Sequence, residues 1–333
     1  MADDRIPVGK LPTELLGRLL GGLGPLPPEV RLGPAVGEDA CALDVPAGTL
    51  VAATDPITLT GRDIGRFSVI INANDVAVMG ARPRWFLATT LLPPGTTVGD
   101  VEELFATMQD ALATVGATMV GGHTEITPAV TQPVVVGQML GITERGKTVA
   151  TGGARPGDVV AQVGAVPVEG AAVLAVEAAG RLAGMDDSTI RAAAAGPEDP
   201  GISIVEPAVA AAGLGATAMH DPTEGGLAAG LHELAVAAGV GVRVDPANVQ
   251  WFEPAVAVCQ ALGADPWATL ASGSLLATFR PADAARAVEA LAARGHAATL
   301  IGSIEAGGGV CDLDGRAILW PARDEVARVL DER

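Results

Sequence analysis

The sequence predicts two α+β domains, one following the other. Both halves of its 333 residues mix strand-like runs with helical periods but lack the regular βαβ rhythm of a parallel sheet. Apolar residues make up 49% of the chain, enough for substantial cores, yet only 3% are aromatic and there is no Tyr. Those cores must therefore be built from Ala, Val, Leu and Ile. Turn chemistry at Gly152-Gly153-Ala154-Arg155-Pro156-Gly157-Asp158 interrupts the pattern, which predicts a boundary near residue 150 and domains 1–150 and 151–333.

Each element follows from local signals. Residues 13–22 read as a short amphipathic helix stopped by Gly21 and Gly22, and 24–37 as a Pro/Gly-rich loop. Strands are expected at 40–45 and at 50–54, the second ending on Asp55-Pro56. A helical period runs from 63 to 79, where Gly80-Ala81-Arg82-Pro83 ends it, and 85–92 is strand-like. Residues 98–115 form a helix that starts after Thr96-Thr97 and stops at Gly116. A strand at 118–120 enters a Gly121-Gly122-His123-Thr124 turn, and 134–142 is a further strand.

In the second half, a strand at 159–163 precedes a helix around 169–182, a helical hairpin at 186–200 and a helix at 203–212. Asp221-Pro222 sets a turn, Thr223 stands where an N-cap belongs, and Gly225-Gly226 lead into a helix to 238. Beyond it come strands at 240–244, 271–279 and 298–304, helices at 254–262 and 282–294, and a short final helix after Trp320.

Composition excludes several functions. A net charge of −18 argues against nucleic acid or an anionic membrane as partner. Any phosphate ligand then needs a divalent cation, a helix N-terminus or a few placed Lys and Arg. Cys41, Cys259 and Cys311 are widely spaced without a CxxC pair, which disfavours zinc or a disulfide framework and suits a reducing cytoplasm. The opening MADDRIPVGK lacks the apolar core of a signal peptide, and the apolar runs break well before bilayer length. A cytoplasmic location is expected. There is no GxSxG and no GxGxxG between a strand and a helix, and the cysteines have no local base.

Two sets of residues carry chemistry. The glycines of His220-Asp221-Pro222-Thr223-Glu224-Gly225-Gly226 feed a helix N-terminus, whose N–H groups and positive dipole end suit an anion. Short acidic motifs sit at element ends: Gly37-Glu38-Asp39-Ala40, Thr54-Asp55-Pro56 and Asn74-Asp75. A carboxylate beside a glycine ordinarily caps a turn. Asp75, however, lies in a helix that is apolar on most sides, where a charge must be paired, hydrogen-bonded or bound to metal. Mg²⁺ prefers such hard oxygen ligands and bridges to phosphates. His123, beside Thr124 and Glu125, is either hydrogen-bonded structure or an acid/base candidate.

The ordered set GEDA, TDP, NDVAVMGARP, GGHT, ARPGD and DPTEGGLAAG covers most of the chain between residues 30 and 305. It resembles the AIR synthase-related superfamily, the PurM-like ATP-binding proteins, and its DPTEGG is most similar to the DPTRGG of the hydrogenase maturation family HypE. The resemblance implies an N-terminal α/β domain that forms a β-barrel with a second copy of the chain, a homodimer, and a C-terminal α+β sandwich domain. It also implies ATP and Mg²⁺ as cofactors. Metal ligands would be Glu38, Asp39, Asp55, Asp75 and Asp221; nucleotide contacts would be Gly37, Asp55, Asn74, Gly121, Gly122, Thr124, Thr223, Gly225 and Gly226. Catalytic candidates are His123, Asp221 and Lys10, the last on a Gly/Pro-flanked arm that could fold over the triphosphate or simply be solvated.

The shared chemistry of the superfamily passes the ATP γ-phosphate to an acceptor oxygen, here a small or protein-bound substrate and potentially a carboxamide. The alternatives are an ATP-binding scaffold in metallocofactor assembly and a small-molecule kinase of the thiamine-monophosphate kinase type. Departures from the pattern are specific. The sequence closes on Leu330-Asp331-Glu332-Arg333, where HypE proteins carry a carbamoyl-accepting cysteine. His123 resembles the GGHT of selenophosphate synthetases, although only Lys10 stands where those have a reactive Cys or selenocysteine. Glu224 replaces the basic residue usual in HypE, and the DxSDG-type segment of thiamine-phosphate kinases is missing from 221–226.

Overall fold

A computed structural model describes residues 6, 9–33, 42–45, 48–58, 63–144 and 146–332, with backbone alone for residues 9, 10, 13, 31, 32 and 42. Two units emerge: Met1–Ala77 with Ala81–Thr148, and Val78–Gly80 with Val149–Arg333.

The first unit contains β1 (Gly9–Lys10), α1 (Thr13–Gly21), β2 (Val30–Leu32), β3 (Ala42–Leu43), β4 (Thr49–Ile57), α2 (Ile64–Ala77), β5 (Arg82–Leu92), α3 (Val98–Val115), β6 (Thr118–Ile126) and β7 (Val134–Thr143). Its main sheet has the order β1-β6-β5-β7-β4, with β5 and β6 parallel and the other neighbours antiparallel. α2 is buried along nearly its whole length because it lies between this sheet and α3. α3 begins where expected, since Thr97 and Asp100 form a reciprocal capping box and Gly116 closes the helix in the left-handed region.

Three expectations fail in this unit. β2 and β3 pair as a small ribbon, although residues 30–32 lie within the stretch expected to be loop. β4 continues through Asp55-Pro56 to Ile57. Pro56 is tolerated because β4 is the last strand of the sheet among the described residues, with one side of its backbone outside the ladder. The Gly121-Gly122-His123-Thr124 segment is the middle of β6 rather than a turn. Parallel pairing with β5 extends it, and Gly122 is required by closeness, as a Cβ there would lie 2.4 Å from the Ala88 carbonyl oxygen.

The second unit contains β8 (Val159–Val163), α4 (Val168–Glu177), α5 (Asp187–Ala194), α6 (Val205–Gly213), β9 (Ala218–His220), α7 (Gly226–Ala238), β10 (Gly241–Val244), α8 (Glu253–Leu262), β11 (Leu275–Phe279), α9 (Pro281–Ala292), β12 (Ala298–Glu305), β13 (Gly309–Asp312) and α10 (Glu325–Asp331). The sheet order is β13-β10-β12-β8-β11-β9. α7 buries Leu227, Leu231 and Leu234 against Val160, Val242, Leu276 and Ile301 of the sheet. A second core joins α4, α8 and α10 through Leu174, Val258, Leu262, Val326 and Val329. The hairpin expected at 186–200 is one helix, α5, followed by a short π-type turn at Pro197–Gly201, where Pro200 cannot continue a helix. No described helix is long and apolar enough to cross a membrane.

Candidate functional site

In the first unit Asp55, Asn74 and Asp75 lie on β4 and α2, which pack together. The half-buried Asp55 is clipped to the helix through its backbone: its N–H donates to Asn72 Oδ1 at 2.8 Å, and its C=O accepts from Asn72 Nδ2 at 3.2 Å. The same amide nitrogen donates to the Ser68 carbonyl at 2.9 Å, so the fully buried Asn72 is held by its own helix as well. Asp75, three residues on, shares that face of α2 and is half-buried, while Asn74 is buried. The structure thus ties Asp55 to the helix face that carries Asp75. Asn72, which links them, is the residue that motif reading passes over; a buried Asn inside an apolar helix is the signal that could have found it.

Gly37, Glu38 and Asp39 lie outside the described residues. Among the described residues, no group of three or more His, Cys, Asp or Glu is placed to hold a metal. Of the remaining expected ligands, Asp55 and Asp75 belong to the first unit and Asp221 to the second.

On β6, Gly121, Gly122, His123 and Thr124 stand opposite Leu87, Ala88, Thr89 and Thr90 of β5. His123 Nε2 lies 3.3 Å from Glu125 Oε2, two residues along and on the same face of the strand. The backbone of Lys10 pairs with Glu125 on the other side. The register therefore brings His123, Glu125 and position 10 to one edge; the Lys10 side chain itself lies outside what is described.

The glycine turn of the second unit differs from its sequence-based picture. Gly225 stands at the N-cap of α7 with φ +77°, Gly226 follows at +65°, and the N-cap residue, being glycine, brings no capping side chain of its own. Thr223 organises the turn through its carbonyl instead, accepting from Gly226 N–H at 3.0 Å and Ala271 N–H at 3.2 Å. The reason is packing: a Cβ at Gly226 would lie 2.6 Å from the carbonyl oxygens of both Trp267 and Thr269. Asp221 is buried at the head of the turn, and Glu224 is exposed. His220 at the end of β9 reaches α7, its Nε2 2.7 Å from Glu233 Oε2.

The second correction at this turn concerns its anion. Gly225 N–H, expected to face a phosphate, donates to Asp324 Oδ2 at 2.7 Å, and Gly226 N–H is taken by Thr223. Asp324 Oδ1 accepts from Val326 N–H at 2.7 Å, so one carboxylate caps both α7 and α10. Burial raises the Asp324 pKa; the Gly225 and Val326 N–H groups act against that, and the nearby Glu224 charge adds to it. An Asp before an apolar period is a recognisable helix start, but nothing local to it points at Gly225, 99 residues earlier. Beside the turn lies a groove of about 630 Å³ whose lining includes Ala228, Trp267, Ile318 and Pro321. Burial pushes the Cys259 thiol up to about 11, consistent with the expectation that it is no nucleophile.

Comparison with known proteins follows this geometry. Residues 37–143 match the family described as AIR synthase related protein, N-terminal domain, and residues 155–312 match its C-terminal domain. The chain is similar to carbamoyl dehydratase HypE of Rhodobacter capsulatus, with 34% identity over 270 residues, covering 78% of this chain and 77% of the relative. Thiamine-monophosphate kinase of Mycobacterium tuberculosis (strain CDC 1551 / Oshkosh) is 31% identical over 261 residues, covering 74% and 73%. A crystal structure of hydrogenase maturation protein HypE in complex with ATP superposes with a TM-score of 0.77 and 25% identity, over 94% of this chain and 96% of that one. The two-domain PurM-like fold expected from the motifs is the fold observed.

Proposed function

We propose a function from one premise: the chain belongs to the AIR synthase related protein family. It is an ATP-dependent enzyme that passes the γ-phosphate to an acceptor oxygen, a carboxamide being the leading class, on a small or protein-bound substrate. The observation carrying this reading is the Asp55–Asn72 clip, which holds one acidic motif against the helix face bearing the next, in a chain similar to an ATP-bound HypE.

Asp55 and Asp75 offer hard oxygen donors at half-buried positions, a donor set that fits Mg²⁺, and Glu38 and Asp39 would complete it. Bound there, the ion neutralises phosphate charge. The chain's own work is positioning: Asn72 fixes Asp55, Asn74 and Asp75 ride on a buried helix, and Gly121, Gly122 and Thr124 set a strand backbone that nucleotide can approach. Thr223, Gly225 and Gly226 shape the head of α7, Asp221 stands beside them, and the strand register brings position 10 and His123 to one edge of the first unit's sheet. A second copy of the chain covers the sheet face opposite α2, where Leu50 is exposed and Leu87, Leu91 and Leu140 are half-buried. The reaction takes place in the cytoplasm, in keeping with Cys259 and Cys311, which form no disulfide among the described residues.

The kinase reading stands second, favoured by the 31% identity to thiamine-monophosphate kinase. Phosphorus NMR separates the two: a kinase leaves a persistent phosphorylated acceptor, whereas a dehydratase releases orthophosphate with an altered acceptor. Saturable ATP binding without acceptor-stimulated ADP release would instead favour the scaffold. Asp75→Asn is expected to abolish Mg-ATP binding in calorimetry while circular dichroism stays native. Unchanged nucleotide affinity in that variant rules out the metal assignment.

A further inference from the structure

The segment between β13 and the end of α10 is pinned on both sides of Asp324. Upstream, the Ile318 carbonyl lies 2.8 Å from His232 Nε2, and Trp320 stacks on the His232 ring with centroids 5.2 Å apart and planes 18° apart. Downstream, Val326 and Val329 are buried against α4 and α8, Arg328 donates to the Gly263 carbonyl, and Glu325 accepts from Asp265 N–H. Between these anchors the Asp324 carboxylate sits on Gly225 N–H, with Pro321 packed close by. His232 is itself part of α7, so the segment is fastened to the helix whose head it covers.

From this geometry we propose that the segment is an internal competitor of anionic ligands at the glycine turn, its Asp324 carboxylate holding the N–H that a phosphate oxygen would otherwise take. Two effects make the competition strong. A tethered carboxylate has a far higher effective concentration than a dissolved anion. Its charge, with Glu224 beside it, also repels a second anion at close range. The turn that most resembles a phosphate site is thereby closed to phosphate while the segment is seated. Because inorganic phosphate is the probe, this inference does not depend on the ATP reading.

The test follows the Gly225 and Gly226 amide resonances of the full-length chain during titration with inorganic phosphate. Asp324→Asn keeps an oxygen acceptor and an effective helix cap but removes the charge. Wild type should show no saturable shift at Gly225, whereas Asp324→Asn should show one, with apparent affinity at least about tenfold higher, the size expected for a charge-assisted hydrogen bond. An identical response of the two proteins, whether both move or neither does, overturns the proposal. Should Asp324→Asn fail to fold, Glu224→Gln provides the second measurement. It leaves the Asp324 carboxylate on the Gly225 N–H and should stay as unresponsive to phosphate as wild type; a saturable Gly225 shift in that variant overturns the proposal.

Discussion

Two of the chain's glycine pairs, Gly121-Gly122 and Gly225-Gly226, look interchangeable in sequence. They have opposite jobs. Gly122 serves an extended strand, allowing β6 to run against the Ala88 carbonyl of β5. Gly226 serves a left-handed turn pressed on the carbonyls of Trp267 and Thr269. A glycine pair marks closeness of backbone to something, and only the partner decides whether that something is another strand, a loop or a ligand.

Substitution by alanine should separate the pairs most sharply. Gly226→Ala combines an unfavourable φ with two rigid backbone oxygens 2.6 Å away, and about 4 kcal/mol or more of lost stability is expected, at the exceptional end for one residue. Gly122→Ala meets the Ala88 carbonyl and should lose about 3 kcal/mol as β5 and β6 part locally. Gly121→Ala faces only the flexible Leu87 side chain, so a loss below about 1 kcal/mol is expected. Urea unfolding of the three variants checks the order. If Gly121→Ala proves as damaging as Gly122→Ala, the strand account of this pair is wrong.

The same contrast explains what the sequence could and could not reveal. α3 was legible because its signals are local: Thr97 and Asp100 at its start and Gly116 at its end. β6 was misread because its glycines locally resemble a turn, while the force that extends them comes from β5, the strand preceding α3. The acidic motifs are visible as residue types, but the clip that orders Asp55 belongs to Asn72, 17 residues away in a helix where the motif points to Asn74 and Asp75 instead. The glycine turn was located correctly and its cap was not. Thr223 fits the local rule, yet the room left by Trp267 and Thr269 and the carboxylate of Asp324 decide the geometry.

Asn72 offers the next largest effect, and it tests whether the first unit's site is held as firmly as the turn. Asn72→Ala leaves the Asp55 N–H and C=O without their side-chain partner at a part-buried position, with an expected loss of about 2 kcal/mol. Amide exchange at Asp55 should accelerate in the same variant. A protein with native exchange at Asp55 would show that the sheet alone fixes that end of β4, removing the reason to single out Asn72.

A smaller effect than that of Asn72 distinguishes two neighbouring carboxylates at the start of α10 by pH. The Arg328 guanidinium lowers the Glu325 pKa, with partial burial opposing it. Burial raises that of Asp324 instead. A depressed folded-state pKa means that the stability Glu325 contributes is present above its unfolded value of about 4.3 and is lost as pH falls through the folded value. Asp324 runs the other way: its charge weighs against the fold increasingly as pH rises above the ordinary Asp value of about 3.9. Glu325→Gln should therefore lose about 1 kcal/mol at pH 7, a charged hydrogen bond partly screened by solvent, and nothing near pH 3. Urea midpoints between pH 3 and 8 read this difference directly. A deficit that persists undiminished in acid would mean that Glu325 acts through packing or through its bond to Asp265 N–H, and that the ion pair with Arg328 adds nothing to the anchor of the segment covering the glycine turn.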